Sequence, residues 1–245
     1  MTYCVGILVD EGLVFLSDSR TNAGVDQIST FRKVAVFQRP GHCVMALMTA
    51  GNLAISQAVI RVLQERFDDF STEPHLTLAS AKNMFEASRI VGEAIREVYH
   101  RDGAALKENG IEFNATFIFG GQIFGEMPRL FNIYSAGNFI EATADTPYFQ
   151  LGESKYGKPI LDRVITRSLS MPRAVKCALV SMDSTLRSNL SVGLPLDLIT
   201  IRRDALQIGS HISIDAQHQY YSMINRQWSE SLRHAFHAIP DPDWI

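Results

Sequence analysis

Residues 2–20 read TYCVGILVDEGLVFLSDSR. An apolar, β-prone run starts at the second residue, breaks at Glu11-Gly12 and resumes as LVFLSDSR, which is the pattern of a hairpin. Working outward, VAVFQ and CVMALMTAG repeat it around RPGH, a Pro-Gly turn at 39–42. The period then changes. Ile55, Val59, Val62 and Phe67 fall at helical spacing, and Asn52, after Gly51, is the expected N-cap. A second helix is expected from about Leu78 to Tyr99, burying Ala87, Ile90, Val91, Ala94, Ile95 and Val98. Strands return from Phe113 to about Leu151, with turns expected at Gly120-Gly121 and Gly137-Asn138. Helices near 155–168 and 172–187 follow, the latter with Ser170 as cap and Pro172 in its first turn. LDLITIRRD and QIGSHISI read as a closing hairpin. A last helix carries Tyr221, Ile224, Trp228, Leu232 and Ala235 on one stripe, before a tail, IPDPDWI, too proline-rich to stay helical.

Strands and helices therefore come in blocks, without strict βα alternation. That order argues for an α+β protein, antiparallel sheets covered by helix layers, and against a doubly wound parallel fold. No repeat, low-complexity segment or linker divides residues 1–245, so one domain is expected. Hydrophobic residues make up 46% and charged residues 20%, an ordinary globular composition able to build a sizeable core. The net charge of −3, with basic residues scattered, argues against nucleic acid as a partner. The three cysteines, Cys4, Cys43 and Cys177, form no CxxC and sit in apolar runs, as buried free thiols of a reducing compartment do. There is no basic leader with an apolar core behind it, and no apolar run approaching about 20 residues. A cytoplasmic protein without membrane spans is expected.

Thr2 is the residue with chemistry to offer. Were Met1 removed, Thr2 would carry a hydroxyl and a free α-amine on adjacent atoms. The hydroxyl is a weak nucleophile that needs a base, and an α-amine with an ordinary pKa of about 7.7–8.0 can serve. Nucleophile and base would then share one residue, and the β-branch would limit χ1. Such a site also needs a fixed positive charge, a carboxylate to orient it, and N–H donors for an oxyanion. Lys33, Asp18 and Gly51 are the candidates. Gly51 lies in TAGN at a strand-to-helix junction, where helix N–H groups are expected to point outward. Singly, each has a plainer reading: a surface lysine beside Arg32, a turn carboxylate in SDSR, a turn glycine.

Their joint spacing, T-x8-EG-x5-DSRTNAG followed by RK and TAGN, resembles the start of a proteasome-type β-subunit, a family of N-terminal nucleophile hydrolases. Thr2, Gly12, Asp18-Ser19-Arg20, Gly24, Lys33 and Ala50-Gly51 carry the resemblance. YFQLGES, SNLSVG and the segment SMDSTLRSNLSVGLPLDL extend it along the chain and make it most similar to the bacterial Anbu (ancestral β-subunit) branch. The resemblance implies a four-layer αββα sandwich of two antiparallel sheets. It implies Thr2 as nucleophile and base, Lys33 as an electrostatic depressor of nearby pKa values, Asp18 as the residue orienting Lys33, and the Gly51 N–H as oxyanion donor. Ser19 and Arg20 would position the local backbone. The sequence departs from the family pattern at Asn52, which replaces a second glycine. The late Asp and Ser that the family sets near its threonine fall at Asn189 and Ser191 in one register, or at Asp183 if three residues are inserted.

No cofactor is implied. His211, His218, His234 and His237 lack metal-ligand spacing and read as surface or interface residues. Gly120-Gly121 lacks a following GK[ST], so it is no phosphate loop. Two functions fit: a threonine peptidase or amidase acting through an acyl-enzyme ester in a ring or open helical homo-oligomer, or a catalytically silent self-assembling scaffold of the same fold. Acyl transfer to an amine is a minor variant of the first. The scaffold gains weight if Met1 is retained, because the Thr2 nitrogen is then an amide.

Overall fold

The computed structural model describes residues 2–22, 28–68 and 76–245. Met1 and Gly24, both used in the sequence reading, lie outside the described residues. The first half of the chain runs β1 (Tyr3–Val9), β2 (Gly12–Asp18), β3 (Arg20–Asn22), β4 (Ile28–Thr30), β5 (Val34–Arg39), β6 (Cys43–Gly51), α1 (Leu53–Asp68) and α2 (Met84–Glu108). The second half runs β7 (Ala115–Ile123), β8 (Arg129–Ile133), β9 (Phe139–Glu141), β10 (Tyr148–Gly152), α3 (Lys158–Val164), α4 (Met171–Ser188), β11 (Leu196–Arg202), β12 (Ser210–Ile214) and α5 (Gln219–His237). The opening hairpin is β1 on β2, antiparallel, with Cys4 opposite Ser17. It forms the middle of a five-stranded sheet ordered β10-β1-β2-β11-β12. A second sheet runs β5-β6-β7-β8-β9, and β3 with β4 makes a short ribbon.

The period-2 alternation of strand side chains builds the layers. From β1, Tyr3, Val5, Ile7 and Val9 face a cluster with Ala174, Ala178 and Met182 of α4. Cys4 and Leu8 face the other way, into a core shared with Val44, Ala46 and Met48 of β6. The remaining face of the second sheet, with Met45, Leu47 and Phe117, packs under Val59 of α1 and Val91 and Ile95 of α2. Two helix layers thus enclose two antiparallel sheets, the expected αββα sandwich.

Several boundaries differ from expectation. Gly120-Gly121 is not a turn but the interior of β7. A Cβ on Gly121 would come 2.2 Å from the Val44 carbonyl oxygen, and one on Gly120 would press on the Phe15 ring at 3.1 Å. These glycines let backbone and the facing sheet approach closely. The second helix starts at Met84 instead of Leu78, because Asn83 accepts the Glu86 N–H at 2.9 Å and caps it there. Leu78 and Ala79 are buried from a turn, so their apolarity was not helical periodicity. The helix also runs nine residues past Tyr99, where Arg101, Ala104, Ala105, Leu106, Lys107 and Glu108 are good helix formers that outweigh Gly103. The helix expected at 155–168 is only Lys158–Val164. On α5 the apolar stripe is buried at Tyr221 and Ile224 but exposed at Leu232 and Ala235, so its second half projects beyond the core.

Candidate active site

β1 begins at the edge of the inter-sheet core, and the main chain of its first residues is held from two sides. The Tyr3 N–H donates to Asp18 Oδ1 at 3.0 Å. The Thr2 carbonyl accepts the Glu153 N–H at 2.8 Å. Gly152 makes this approach possible: its φ is +78°, and a Cβ there would lie 1.9 Å from Thr2 O. Thr2 itself is half-buried.

Asp18 ends β2, opposite Leu196 of β11, and is sealed from solvent. Lys33 precedes β5. Its plain reading as a surface lysine fails: it is 5% exposed, while neighbouring Arg32 is exposed. The Lys33 Nζ donates to Asp18 Oδ1 at 2.7 Å, so one carboxylate oxygen receives both the Lys33 ammonium and the Tyr3 N–H. The other oxygen accepts the Gly193 N–H at 3.4 Å. Burial pushes the Asp18 carboxyl above the ordinary carboxylate range, and the Lys33 charge and the two backbone donors pull it part of the way back.

Gly51 sits at the end of β6, exposed, with φ +107°, and a Cβ there would lie 2.3 Å from the Asn114 carbonyl oxygen. Thr49, two residues earlier, donates its N–H to the Lys33 carbonyl at 2.9 Å and accepts the Cys4 thiol at 3.7 Å. The end of β6 therefore borders the Asp18–Lys33 pair. Asn52 does cap α1, but its Oδ1 accepts the N–H groups of Ala54 (3.0 Å) and Ile55 (3.4 Å). Those two donors do not point outward freely, as the sequence reading expected.

Ser19 and Arg20 are structural clamps on the 189–195 loop. Ser19 donates to the Pro195 carbonyl from its N–H (3.1 Å) and its hydroxyl (2.6 Å). Arg20 Nη1 donates to the Leu190 carbonyl at 2.9 Å, and its guanidinium covers the open face of Gly193, where a Cβ would fall 2.1 Å from Nε. This loop also holds Asn189 and Ser191, and Asn189 reaches Glu153, the residue bonded to Thr2. Asn189 Nδ2 donates to Glu153 Oε2 at 3.2 Å, and its Oδ1 accepts the Ser191 N–H at 2.9 Å.

Asp183 is not brought to this cluster. It is buried under α5, accepting Asn225 Nδ2 at 2.6 Å and pairing with Arg187 Nε at 3.4 Å. The reason is helical geometry. Ser181, whose hydroxyl meets Tyr3 OH at 3.1 Å, faces β1, and a residue two positions on is turned about 200° away.

Two carboxylates escaped the sequence reading. Glu153 is 7% exposed and its N–H is bonded to the Thr2 carbonyl; in the sequence only its place after the glycine of LGES hinted at it. Asp197, in the apolar run LPLDLITI, was the more visible signal. It is 4% exposed, 3.9 Å from both Arg32 Nε and His211 Nε2, and burial raises its pKa against the pull of the Arg32 charge. Among the described residues no cluster of three or more His, Cys, Asp or Glu is arranged for a metal ion, and no helix is long and apolar enough to cross a membrane. The three cysteines are free and buried.

Neither a family model nor a curated protein sequence matches the chain. Solved structures do. Anbu (ancestral β-subunit) from Yersinia bercovieri is 48% identical, with a TM-score of 0.92, over 99% of this chain and 100% of that one. The helical assembly of the Anbu complex from Pseudomonas aeruginosa is 48% identical, with a TM-score of 0.93, over 99% and 98%. This chain belongs to the Anbu family. An Anbu (Gly-1) mutant from Hyphomicrobium sp. strain MC1 matches at 48% identity and a TM-score of 0.93, over 99% and 100%. The Anbu likeness thus spans both sheets and all helix layers, including α5 and its tail. It also includes the strand ends on which Asp18, Lys33 and Gly51 stand.

Proposed function

We infer that this Anbu-family chain is an N-terminal threonine hydrolase of amide bonds, a peptidase or amidase, working as one copy of a cytoplasmic homo-oligomer. The observation that carries the reading is the shared Asp18 oxygen: Lys33 Nζ at 2.7 Å and Tyr3 N at 3.0 Å tie a buried ammonium to the residue that follows Thr2. A solvated lysine would need no such arrangement. A buried charge pair is retained only with its hydrogen bonds satisfied, and here the Asp18 carboxylate takes backbone N–H groups from Tyr3, next to Thr2, and from Gly193.

In the mechanism, Thr2 Oγ attacks the carbonyl carbon of the amide while its proton passes to the Thr2 α-amine, freed by loss of Met1. The C–O bond forms, and the carbonyl electron pair moves to the oxygen, where the Gly51 N–H stabilises the oxyanion. Collapse breaks the C–N bond, and the proton on the α-ammonium goes to the leaving amine. Water then attacks the Thr2 ester with the amine as base, releasing the acid. Lys33 favours the negative oxygen and disfavours a second positive charge on the amine, keeping that base neutral in part near pH 7. Asp18 holds Lys33 in place.

For assembly, the helical Anbu complex of Pseudomonas aeruginosa supplies the precedent, and we extend an open or helical ring to this chain. Phe236 (73% exposed), Ile239 (68%) and Trp244 (81%) lie at the projecting end of α5 and its tail, apolar surface suited to burial between copies.

The test is the N-terminal mass of the purified protein followed by treatment with an epoxyketone or β-lactone directed at N-terminal threonine. One adduct on Thr2 of the processed protein is the expected result. A processed Thr2 that takes no adduct over a range of pH removes the hydrolase reading and leaves the scaffold.

A further inference from the structure

Glu153 is a buried carboxylate for which the mechanism above has no use. It is 7% exposed, and its N–H is bonded to Thr2 O at 2.8 Å. Its side chain accepts the Lys155 N–H at 3.4 Å and Asn189 Nδ2 at 3.2 Å. Among the described residues no Lys, Arg or His stands within ion-pair distance of it. An ionised carboxylate in such a position is costly unless a cation faces it. The residue clamped to its own backbone is Thr2, which gains exactly one positive charge when Met1 is removed and its nitrogen becomes an α-ammonium.

We propose that Glu153 is the counter-ion of the Thr2 α-ammonium, a positioning residue delivered by the loop between β10 and α3 and steered by Asn189. The inference rests on the N-terminal reading of Thr2. It also accounts for Asn189, which stands where one register of the late motif called for an acid. The carboxylate enters from a different loop, and an amide at 189 holds it: Asn189 donates to Glu153 and accepts from Ser191 N–H at 2.9 Å. Two acids there would repel, whereas an acid and an amide share a hydrogen bond.

The chemistry follows from what surrounds Thr2. Among the described residues, toward β2 lies Asp18 with Lys33 bonded to it; toward β10 lies Glu153; from the loop after α4 comes neutral Asn189, bonded to Glu153 and to the Ser191 N–H, with the Arg20 guanidinium against Gly193 of the same loop. Lys33 favours the neutral amine and Glu153 the ammonium. When Oγ gives up its proton to the amine, the ammonium that forms is met by the Glu153 carboxylate, as a carboxylate meets the imidazolium in a Ser-His-Asp triad. No further oxidant, metal or co-reactant enters this step.

The experiment uses the full-length assembled protein. Competitive acetylation with acetic anhydride across pH, read by mass spectrometry of the N-terminal peptide, reports the proton affinity of the Thr2 amine. Glu153→Gln should lower that affinity about tenfold, one unit of pKa, and Glu153→Asp should restore part of it. Asn189→Asp, which adds a charge without changing shape, should move it the opposite way. β-Lactone adduct formation should show its acid limb shifted in the same direction for each variant. Glu153→Gln and Asn189→Asp that both leave the amine titration at the wild-type position overturn the assignment. If the titration shifts as stated but no variant nor the wild type takes the β-lactone, the ion pair stands and the hydrolase reading falls. Met1 found retained on the cellular protein overturns both.

Discussion

Gly152 stands flush against the carbonyl of Thr2, so close that a Cβ on Gly152 would lie 1.9 Å from the oxygen. Its φ of +78° leaves that position to glycine for a second reason. Gly152→Ala should cost roughly 1–2 kcal/mol from left-handed backbone alone, and more from the clash. The Thr2–Glu153 hydrogen bond must break or β1 must shift. The expected outcome is a lower midpoint in urea unfolding together with loss of Thr2 labelling by an epoxyketone. A variant as stable and as reactive as the wild type would show that the end of β1 is not held from this side.

The Asp18–Lys33 pair gives a prediction with a sign in pH. Lys33→Met leaves the Asp18 carboxylate buried and without its cation, a change that costs about 3–5 kcal/mol at neutral pH. Asp18 already titrates above its ordinary value because of burial, and losing Lys33 raises it further. The folded state then binds this proton more tightly than the unfolded state. Stability falls as pH rises from the unfolded carboxyl pKa, about 3.9, through the folded value, and is flat above it. Urea unfolding of Lys33→Met against wild type should therefore show the smallest deficit near pH 4 and the largest at pH 8. The double variant Asp18→Asn/Lys33→Met should lose that pH-dependent difference. A deficit independent of pH contradicts the buried ion pair.

Asp183 separates folding from chemistry in the other direction. It bonds Asn225 and Arg187 across α4 and α5, away from Thr2. Asp183→Ala takes the acceptor from half-buried Asn225 and the partner from Arg187, and should cost about 1–3 kcal/mol, loosening α5. Thermal unfolding should register that loss, while the rate of Thr2 adduct formation at a temperature where the variant is folded stays at the wild-type value. A large fall in that rate in a folded Asp183→Ala protein would return Asp183 to the site.

The hairpin, the block order of elements and the roles of β5 and β6 were legible because strand alternation and turn residues are local signals. The start of α2 was not, since Leu78 and Ala79 are apolar for reasons of tertiary burial, while the real signal, Asn83 with Glu86, is a cap. Gly120-Gly121 misled in the same way: glycine marks a turn locally, yet here the second sheet and the Val44 backbone demand the missing side chains. The pairing of Asp18 with Lys33 could be expected from the family spacing, since both lie close to the opening hairpin. Glu153 and Asn189 could not. Their meeting joins loops 36 residues apart, and no pattern within either loop announces the other.

Thr2→Ala is the cleanest division between the two functional readings. Among the described residues, the bonds that place residue 2 use the main chain of residues 2 and 3: the Thr2 carbonyl to Glu153 N–H, and the Tyr3 N–H to the Asp18 carboxylate. Removing the hydroxyl and methyl leaves those bonds intact, and the residue is only half-buried. The stability of Thr2→Ala should therefore lie within about 0.5 kcal/mol of wild type, as for a substitution away from core and caps. Its assembly, read by light scattering or native mass spectrometry, should not change. Thr2→Ser keeps a hydroxyl and should retain adduct formation, slowed by the freer χ1 of serine. The hydrolase reading requires labelling to vanish in Thr2→Ala and persist in Thr2→Ser. Equal labelling in both would place the reactive group elsewhere, and a changed assembly in Thr2→Ala would mean that the side chain serves an interface.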